Sequence, residues 1–466
     1  MSGRRRRRGP DRAARGSEPT RASSAAPEEA EVTVTALAVG GEGIGHLPDG
    51  CVVFVDGGLP GDRVRVSVHE RRRRFARGRV VERLTAGVER EGGCAVGESC
   101  GGCRFQGIPY AEELRWKVAA AMGAMERIAP AVSWPAPEVE GALAVDGWRR
   151  RARLAVLPDG RTGYRAARSG GVVAAAACPV LEPALEEVRH TLRPLLAEVA
   201  GEVGEVHLER GDDGGIGVLL LARPGAGMRT VERVEGWATR EAFPPVVASV
   251  VVEAGGRRQT VFGTGRGRWA RDGGGDSAWV EAPVGAFAQA NAAVNARLRT
   301  RVREAVLEVG TSPEVLELFA GSGNFTGTLL AAGCAVTAVE GATEPLAALE
   351  DALGGPRLRA VVADLGRGLP REVADGGAAV VVVDPPRTGL SAELVADLCG
   401  LGASRLVYVS CDPPTLARDA GRLVAADASW EVVSLALVDA FPRTAHLEAV
   451  SVLEHGRRRS GRGRAA

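Results

Sequence analysis

Four side chains able to do chemistry follow segments of β-strand character in the C-terminal third of the chain. Glu340, Asp364 and Asp384 each stand at the end of an apolar segment, and Cys411 follows the strand-like run Arg405–Ser410. Strands that alternate with helices predict a parallel sheet, whose strand ends meet at one edge, so these side chains are expected at one site. Carboxylates there can bind hydroxyl groups or move protons, and a thiol can act as a nucleophile.

A glycine-rich turn precedes these acids. The apolar stretch Val315–Phe319 leads into Gly321, Gly323 and Gly327. Such a turn lets backbone N–H groups approach a ligand, and Glu340, about 20 residues beyond it, can accept hydrogen bonds from a ribose. The spacing G-x-G-x-x-x-G differs from the dinucleotide pattern G-x-G-x-x-G, which disfavours a pyrophosphate. It favours S-adenosylmethionine, which has adenosine and no phosphate; a βαβ turn without ligand is the alternative.

Cys411 has the surroundings of a reactive thiol. Pro413 and Pro414 stand where a helix is expected to begin, and the positive end of that helix favours a thiolate. Glu448 lies near the start of a later strand, where it is either a solvated residue or a base directed into the site. Three other cysteines fall in apolar patterns and are predicted to be core residues: Cys51, Cys334 and Cys399.

Three further cysteines are closely spaced in the glycine-rich stretch Glu91–Gln106, as Cys94-x5-Cys100-x2-Cys103. In a reducing compartment, cysteines this close indicate metal ligands more than disulfides or core residues. A fourth soft ligand is required, and Cys178 is the best candidate. Four thiolates bind either zinc or an iron–sulfur cluster. The spacing is compatible with zinc and with a cluster, although the uneven spacing of the cysteines slightly favours a cluster.

The elements that must position these residues form three predicted units between two tails. Short strands with Gly-rich turns indicate a small β-barrel near the N-terminus, and alternating strands and helices from about Glu281 indicate an α/β domain. The predicted units are a disordered Arg-rich tail (1–30), the barrel (31–88), a central α+β domain with the cysteine loop (89–280), the α/β domain (281–456) and a basic tail (457–466).

The charge distribution suggests a phosphate-rich partner. The 59 basic and 58 acidic side chains nearly balance, but arginines cluster in Arg4–Arg8, Arg71–Arg74 and Arg457–Arg464. Solvated tails are the alternative reading of the two terminal runs. The sequence contains no apolar stretch of about 18 residues and no apolar segment near its N-terminal arginines, so we expect no membrane span, no secretory signal and a cytoplasmic location.

Six short motifs follow one another along the C-terminal part: F-x-Q-x-N (Phe287–Asn291), L-F-x-G-x-G-N-F (Leu318–Phe325), V-E (Val339–Glu340), D-P-P-R-x-G (Asp384–Gly389), S-C-D-P (Ser410–Pro413) and T-x-H-x-E (Thr444–Glu448). In these motifs and their order the chain resembles the S-adenosylmethionine-dependent RNA 5-methyluridine methyltransferases. The barrel resembles a TRAM domain, an OB-like RNA-binding barrel, in its loop Gly41–His46 and its turn Val55–Val64. The resemblance, over about Glu31 to Glu454, implies a Rossmann-like class I methyltransferase domain behind the TRAM barrel and the central α+β domain.

The resemblance also implies an activity and a set of site residues. The activity is methyl transfer from S-adenosylmethionine to C5 of a uridine in RNA, with Cys411 adding to C6 and Glu448 removing the C5 proton. The implied cofactor-binding residues are Gln289, Phe319, Glu340 and Asp384, with Asp364 as an addition near the adenine and Asn324 as a weaker one. The cysteines that resemble the [4Fe–4S] ligands of members acting on 23S ribosomal RNA are Cys94, Cys100, Cys103 and Cys178. Ribosomal RNA is therefore expected as the partner more than transfer RNA.

One residue departs from the family pattern, and other functions stay open. Asp412 stands where asparagine is usual, and an acid beside the thiol disfavours a thiolate unless it points away. Asp384-Pro385-Pro386 is also similar to the motif of amino-group methyltransferases, although Arg387 replaces the aromatic residue that would stack on their base. A non-catalytic RNA-binding factor is the other alternative. The sequence leaves the oligomeric state open, with a monomer expected.

Overall fold

The computed structural model describes residues 28–167, 169–270 and 279–456. Residues 1–27 of the predicted N-terminal tail and the whole predicted C-terminal tail lie outside the described residues. The first strand begins at Glu28, slightly before the predicted start of the barrel. Within the described ranges, no helix is both long and apolar enough to span a membrane.

The N-terminal barrel contains six strands: β1 (Glu28–Thr33), β2 (Ala36–Leu37), β3 (Gly43–His46), β4 (Val52–Asp56), β5 (Arg63–Arg71) and β6 (Phe75–Thr85). They pair in the order β1-β5-β6-β4-β3-β2. Alternate side chains of β4 and β5 point inward, so Val53, Val55, Val64 and Val66 are fully buried. Gly78 lets β6 approach β5 closely, because a Cβ there would lie 2.3 Å from Cγ1 of Val66.

Two elements, α1 (Tyr110–Ile128) and β7 (Glu138–Glu140), follow the barrel. The central sheet then has the strands β8 (Arg151–Val156), β9 (Thr162–Arg165), β10 (Val172–Ala174), β11 (Val203–Arg210), β12 (Ile216–Ala222), β13 (Val247–Ala254) and β14 (Arg257–Gly263). Its helices are α2 (Pro183–Thr191), α3 (Arg193–Val199) and α4 (Gly227–Arg240). Helices α2 and α3 are separated at Leu192 because Pro194 lacks the N–H that a continuous helix requires.

The C-terminal region begins with a two-stranded hairpin, β15 (Arg266–Ala270) and β16 (Trp279–Pro283). The strands that follow are β17 (Glu314–Leu318), β18 (Ala335–Glu340), β19 (Leu358–Val362), β20 (Val380–Val383), β21 (Arg405–Ser410), β22 (Trp430–Val438) and β23 (Glu448–His455). The helices are α5 (Ala292–Leu307), α6 (Thr326–Ala331), α7 (Thr343–Leu353), α8 (Arg371–Ala374), α9 (Ala392–Gly400) and α10 (Pro413–Ala426).

The C-terminal sheet has the order β19-β18-β17-β20-β21-β23-β22-β7. Strands β17 to β21 are parallel, and β23 runs antiparallel between β21 and β22. The four valines of β20 are buried because helices cover both faces of the sheet. The predicted architecture, a Rossmann-like α/β domain behind a small N-terminal β-barrel and a central α+β domain, is confirmed.

The segment from α1 to β7 packs on the C-terminal sheet, although the sequence assigned these residues to the central domain (89–280). β7 pairs with β22 at the edge of the C-terminal sheet, and α1 packs on α10. Ala121 and Met125 of α1 belong to the same hydrophobic cluster as Leu416 and Ala420 of α10. α1 packs on the C-terminal sheet because its apolar face is buried there, although it follows the cysteine loop in sequence.

Candidate active site

A cavity of about 660 Å³ lies at the carboxyl ends of the parallel strands. We call it the cofactor cavity. The predicted site residues that line it are Gln289, Phe319, Glu340, Asp384, Cys411 and Glu448, together with the weaker candidate Asn324. Asp364 is exposed and lines an adjoining cavity of about 510 Å³ together with Phe319 and Glu340. The structure thus brings the predicted nucleophile, base and cofactor-binding residues together at one edge of the sheet.

The turn after β17 is shaped for a close-lying ligand. Phe319 has a φ of 62°, a left-handed conformation that costs a non-glycine residue about 1–3 kcal/mol and that clusters at functional sites. A Cβ on Gly321 would meet only open space, whereas one on Gly323 would lie 2.4 Å from Leu349 of α7. Gly321 therefore exposes its backbone towards the cavity, and Gly323 allows the turn to pack against α7.

Glu340 is fixed by one backbone N–H group of this turn and by one that follows β18. Its carboxylate accepts hydrogen bonds from N of Gly321 (3.0 Å) and from N of Ala342 (2.8 Å). A carboxylate has about four acceptor positions, so two are left to accept hydroxyl donors from a ligand. This arrangement suits the two hydroxyl groups of a ribose.

Replacing Glu340 with alanine is expected to weaken S-adenosylmethionine binding about 10- to 100-fold, because hydrogen bonds to a charged group contribute about 1.5–3 kcal/mol. Isothermal calorimetry measures the change in the dissociation constant. Glu344→Ala, which removes an exposed carboxylate from the first turn of α7, is the matched control. An unchanged affinity in Glu340→Ala would remove Glu340 from the cofactor site.

The segment with the F-x-Q-x-N motif forms another wall of the cofactor cavity. The backbone oxygen of Gln289 accepts a hydrogen bond from Nε of Arg150 (3.0 Å), and Asn291 caps α5 through N of Val294. Asn324, the weaker candidate, is locked in a reciprocal amide pair with Asn295, at 2.8 and 3.0 Å. This pair leaves Asn324 better suited to shape the turn than to bind a ligand.

Cys411 lies in the turn between β21 and α10, and Asp412 is the N-cap of that helix. The Asp412 carboxylate accepts a hydrogen bond from N of Thr415 at 3.3 Å, and N of Asp412 donates to the Ser410 hydroxyl at 3.1 Å. The acid that departs from the family pattern is thus engaged by the helix terminus. The capping role also explains why an aspartate is tolerated in place of asparagine, since both are good N-caps.

The surroundings of Cys411 correct one expectation from the sequence. Burial raises the pKa of the Cys411 thiol, and the nearby carboxylates of Glu448 and Asp384 raise it further. Arg387 acts in the opposite direction, through its charge and a hydrogen bond. The helix terminus therefore does not by itself make Cys411 a thiolate; the carboxylates that the fold places beside it favour the thiol.

Three carboxyl groups from different strands lie at this end of the sheet. Burial, aided by the charge of Asp384, raises the pKa of Glu448 to about 8, and burial raises the pKa of Asp384 to about 7. Sequence reasoning missed the third, Glu317 of β17, whose carboxylate accepts a hydrogen bond from the Thr326 hydroxyl at 2.6 Å. Burial raises the pKa of Glu317 to about 8. A single acid within the apolar strand VLELF was the available signal.

Arg387 is the cation that acts on both predicted catalytic residues. Its charge lowers the pKa of Cys411 and the pKa of Glu448. Its Nη2 lies 3.4 Å from Nε2 of His446. In the sequence it served only as an argument against amino-group methylation. The structure adds an electrostatic role, because Arg387 favours the thiolate over the thiol.

The variant Arg387→Gln is expected to slow alkylation of Cys411 by iodoacetamide about tenfold at neutral pH, because loss of a nearby cation raises a thiol pKa by about one unit. Mass spectrometry of the Cys411 peptide gives the rate. Arg371→Gln, on the short helix α8, is expected to leave it unchanged. Equal rates in wild type and Arg387→Gln would contradict the electrostatic role.

A second cavity, of about 490 Å³, opens on the other side of Cys411. Its walls come from the barrel (Leu37–Gly41), from α1 and from the catalytic turn (Cys411–Thr415). Arg387 lines both this cavity and the cofactor cavity. Cys411 is therefore reachable from the barrel side without passage through the cofactor cavity, as a reaction between a small cofactor and a macromolecule requires.

The four predicted metal-binding cysteines lie near one another in the central region. Cys100 forms a β-bridge with Ala166, after β9, which brings the cysteine loop to the central sheet. Burial raises the pKa of Cys100, with contributions from Cys178 and Cys94, and burial raises that of Cys103 to about 11, with contributions from Cys178 and Cys100. Within the described ranges, however, no three Cys, His, Asp or Glu side chains are grouped closely enough to hold a metal ion. The metal site stays a prediction.

Comparisons with known proteins identify the two ends of the chain. The family model of the TRAM domain matches residues 28–81, and that of tRNA (Uracil-5-)-methyltransferase matches residues 373–456. The solved structure of Pyrococcus abyssi tRNA (uracil-54, C5)-methyltransferase in complex with S-adenosyl-L-homocysteine superposes with a TM-score of 0.67 at 21% identity, covering 91% of this chain and 100% of that one. This likeness confirms the fold.

Two relatives match at higher identity along nearly the whole chain. A protein of Chromohalobacter salexigens named 23S rRNA (uracil(1939)-C(5))-methyltransferase RlmD is 34% identical over 447 residues, which cover 91% of this chain and 88% of that one. A protein of Vibrio cholerae with the same name is 32% identical over 453 residues, covering 93% and 98%. Taken with the motifs and the cavity, these similarities show that the chain belongs to the S-adenosylmethionine-dependent RNA uracil-C5 methyltransferases.

Proposed function

We propose that this protein methylates C5 of a uridine in 23S ribosomal RNA, using S-adenosylmethionine as methyl donor. The observation that carries the proposal is the meeting of Cys411, Glu448 and Glu340 in one cavity that adjoins a second opening on the barrel side. This reaction needs a nucleophile, a base and an acceptor for the ribose hydroxyls, and all three line the same cavity. The names of the relatives support the ribosomal substrate.

The proposed chemistry follows from the low nucleophilicity of uracil C5. The Cys411 thiolate adds to C6, and the electron pair of the C5–C6 double bond moves onto the C4 carbonyl oxygen as an enolate. C5 of the enolate then attacks the methyl group, whose bonding electrons stay on sulfur. The Glu448 carboxylate takes the C5 proton, the double bond re-forms, and Cys411 leaves as a thiolate. The sulfonium charge of the donor favours the Cys411 thiolate, because a nearby cation lowers a thiol pKa.

Access to the base requires that the uridine leave any stack, since neither cavity admits a duplex. The TRAM barrel and the central domain are proposed to hold the surrounding RNA. Arginines on β5 and the turn that follows it, among them Arg72 and Arg73, are exposed on the barrel and suit phosphate contacts. We propose that the protein works as a monomer in the cytoplasm, the compartment of its proposed substrate.

The test is nucleoside mass spectrometry of 5-methyluridine in separated ribosomal and transfer RNA, from cells with and without the gene. Loss from the ribosomal fraction alone is the expected result. Loss from transfer RNA alone would keep the chemistry and overturn the substrate. A transfer RNA substrate is the second candidate because the P. abyssi structure with the same fold is a transfer RNA methyltransferase. Under a non-catalytic RNA-binding role, neither cellular fraction would lose 5-methyluridine. The purified protein with added S-adenosylmethionine would also methylate neither RNA.

We also propose that Cys94, Cys100, Cys103 and Cys178 hold a [4Fe–4S] cluster. The proposal is supported by the donor set: the charges of Cys178 and Cys94 act on Cys100, those of Cys178 and Cys100 act on Cys103, and Gln106 and Arg149 each favour the thiolate of Cys103. Nε of Arg149 is buried and has no acceptor among the described residues. An anionic cluster offers sulfur acceptors to such donors. The methyl transfer above uses no redox step, so the cluster would serve structure or RNA positioning.

The variant Cys100→Ser is expected to lose most of the iron and sulfide of anaerobically purified protein, because a weaker ligand replaces a thiolate. Colorimetric iron and sulfide determination and the visible absorption spectrum give the readout. Cys51→Ser, in the barrel, is expected to retain both. If wild type and Cys51→Ser instead contain no iron and one equivalent of zinc, the site is a zinc site.

A further inference from the structure

The chain contains 59 lysines and arginines, and only one of them, Lys117, is a lysine. Lys117 lies on α1 and is 3% exposed. Its Nζ has an acceptor for each of its three hydrogens: Oδ1 of Asp439 (2.7 Å), the backbone oxygen of Phe441 (3.3 Å) and Oε1 of Glu113 (3.4 Å). A compact ammonium fits this convergence of acceptors, whereas a planar guanidinium spreads its donors over a wider fork.

Two of these acceptors belong to the connection between β22 and β23, residues 439–447, which ends at Glu448. Asp439 also accepts a hydrogen bond from the Tyr110 hydroxyl (3.0 Å), and Glu113 accepts one from N of Arg443 (2.7 Å). Arg443 has a φ of 68°, a left-handed conformation that needs such fixation. The charges of Lys117, Asp439 and Glu113 therefore set the path by which the chain enters β23.

Cys411 is anchored by different contacts. The cap between Asp412 and N of Thr415 fixes the start of α10, and the Tyr408 hydroxyl donates to Asp419 of α10 at 2.9 Å. These contacts join β21 to α10 without any side chain of the connection 439–447. Loss of the Lys117 contacts should therefore displace Glu448 more than Cys411.

We infer that Lys117 is a positioning residue for proton removal from C5, acting through Asp439 and Phe441 on the placement of Glu448. The inference rests on the proposed function. In the affected step the Glu448 carboxylate takes the C5 proton, the C–H electron pair forms the C5–C6 double bond, and the Cys411–C6 bond breaks with its electrons on sulfur. A displaced Glu448 slows this step alone, so the covalent RNA adduct persists.

The test compares two variants. Lys117→Met alone leaves the Asp439 charge buried and risks misfolding, so the informative protein is the double variant Lys117→Met with Asp439→Asn, which removes both charges. We expect it to fold, to bind S-adenosylmethionine with wild-type affinity, to turn over about 10- to 100-fold more slowly and to accumulate methylated adduct on denaturing gels. Arg115→Met, on the exposed side of α1, is the matched control and should behave as wild type.

The outcomes separate the inference from the function it rests on. A folded double variant that turns over within about twofold of wild type, or that slows without accumulating adduct, overturns the role of Lys117. Wild-type protein that transfers no methyl group to any RNA overturns the proposed function first. Because there is one lysine, selective ¹⁵N-lysine labelling gives one Nζ signal, whose slow hydrogen exchange in wild type and faster exchange in Asp439→Asn would report the buried contact directly.

Discussion

Replacing Cys411 with alanine is expected to reduce methyl transfer to RNA by at least about 10⁴-fold, because without the nucleophile uracil C5 does not become an enolate carbon. Transfer of a radiolabelled methyl group measures the loss. Binding of S-adenosylmethionine should persist, since Glu340 and the glycine turn, the predicted cofactor contacts, lie on other strands. The variant separates covalent catalysis from binding.

The control for this variant is Cys51→Ala, which removes a thiol from the barrel and should leave turnover near wild type. RNA with 5-fluorouridine at the target position gives a second readout. Fluorine at C5 offers no proton for Glu448, so the wild-type protein should form a lasting adduct that Cys411→Ala cannot form. Substantial methylation by Cys411→Ala would instead favour amino-group methylation through the Asp384-Pro385-Pro386 turn.

Replacing Glu448 with glutamine is expected to slow turnover about 10²- to 10⁴-fold and to trap methylated RNA on Cys411, because the amide is isosteric but cannot take the C5 proton. Denaturing gels and mass spectrometry of the crosslinked peptide measure the adduct. Glu431→Gln, an exposed carboxylate on the neighbouring strand β22, is the matched control. Loss of activity in Glu448→Gln without adduct would place Glu448 before the attack of Cys411.

The pH dependence gives an independent check on Glu448. Burial raises its pKa from 4.5 to about 8, so its basic form grows as pH rises through about 8 and adduct resolution should accelerate over the same range. The folded protein binds more protons at Glu448 than the unfolded chain between these values, so its stability falls as pH rises from about 4.5 to about 8. Glu448→Gln should therefore melt at a higher temperature than wild type above pH 8 while losing turnover. A lower melting temperature there would contradict the raised pKa.

Much of the site could be predicted from the sequence because local patterns decide it. Parallel strands place their carboxyl ends at one edge, so apolar segments that end on Glu340, Asp384 and Cys411 already implied a common site. The glycine spacing before Glu340 separated an adenosine ligand from a dinucleotide. The ordered motifs added the reaction and the family, which the relatives then confirmed.

Only the tertiary structure determined how residues that are distant in sequence act on one another. Glu448 starts an antiparallel strand whose Ala449 pairs with Ser410, and only this register puts the carboxyl group beside Cys411. That proximity, with burial, raises the pKa of a thiol that the helix terminus alone would have lowered. The placement of α1 on the methyltransferase sheet, and with it the contact between Lys117 and Asp439, also depends on packing across more than 300 residues. Sequence patterns report a residue's own strand or helix; electrostatics and packing depend on its neighbours in space.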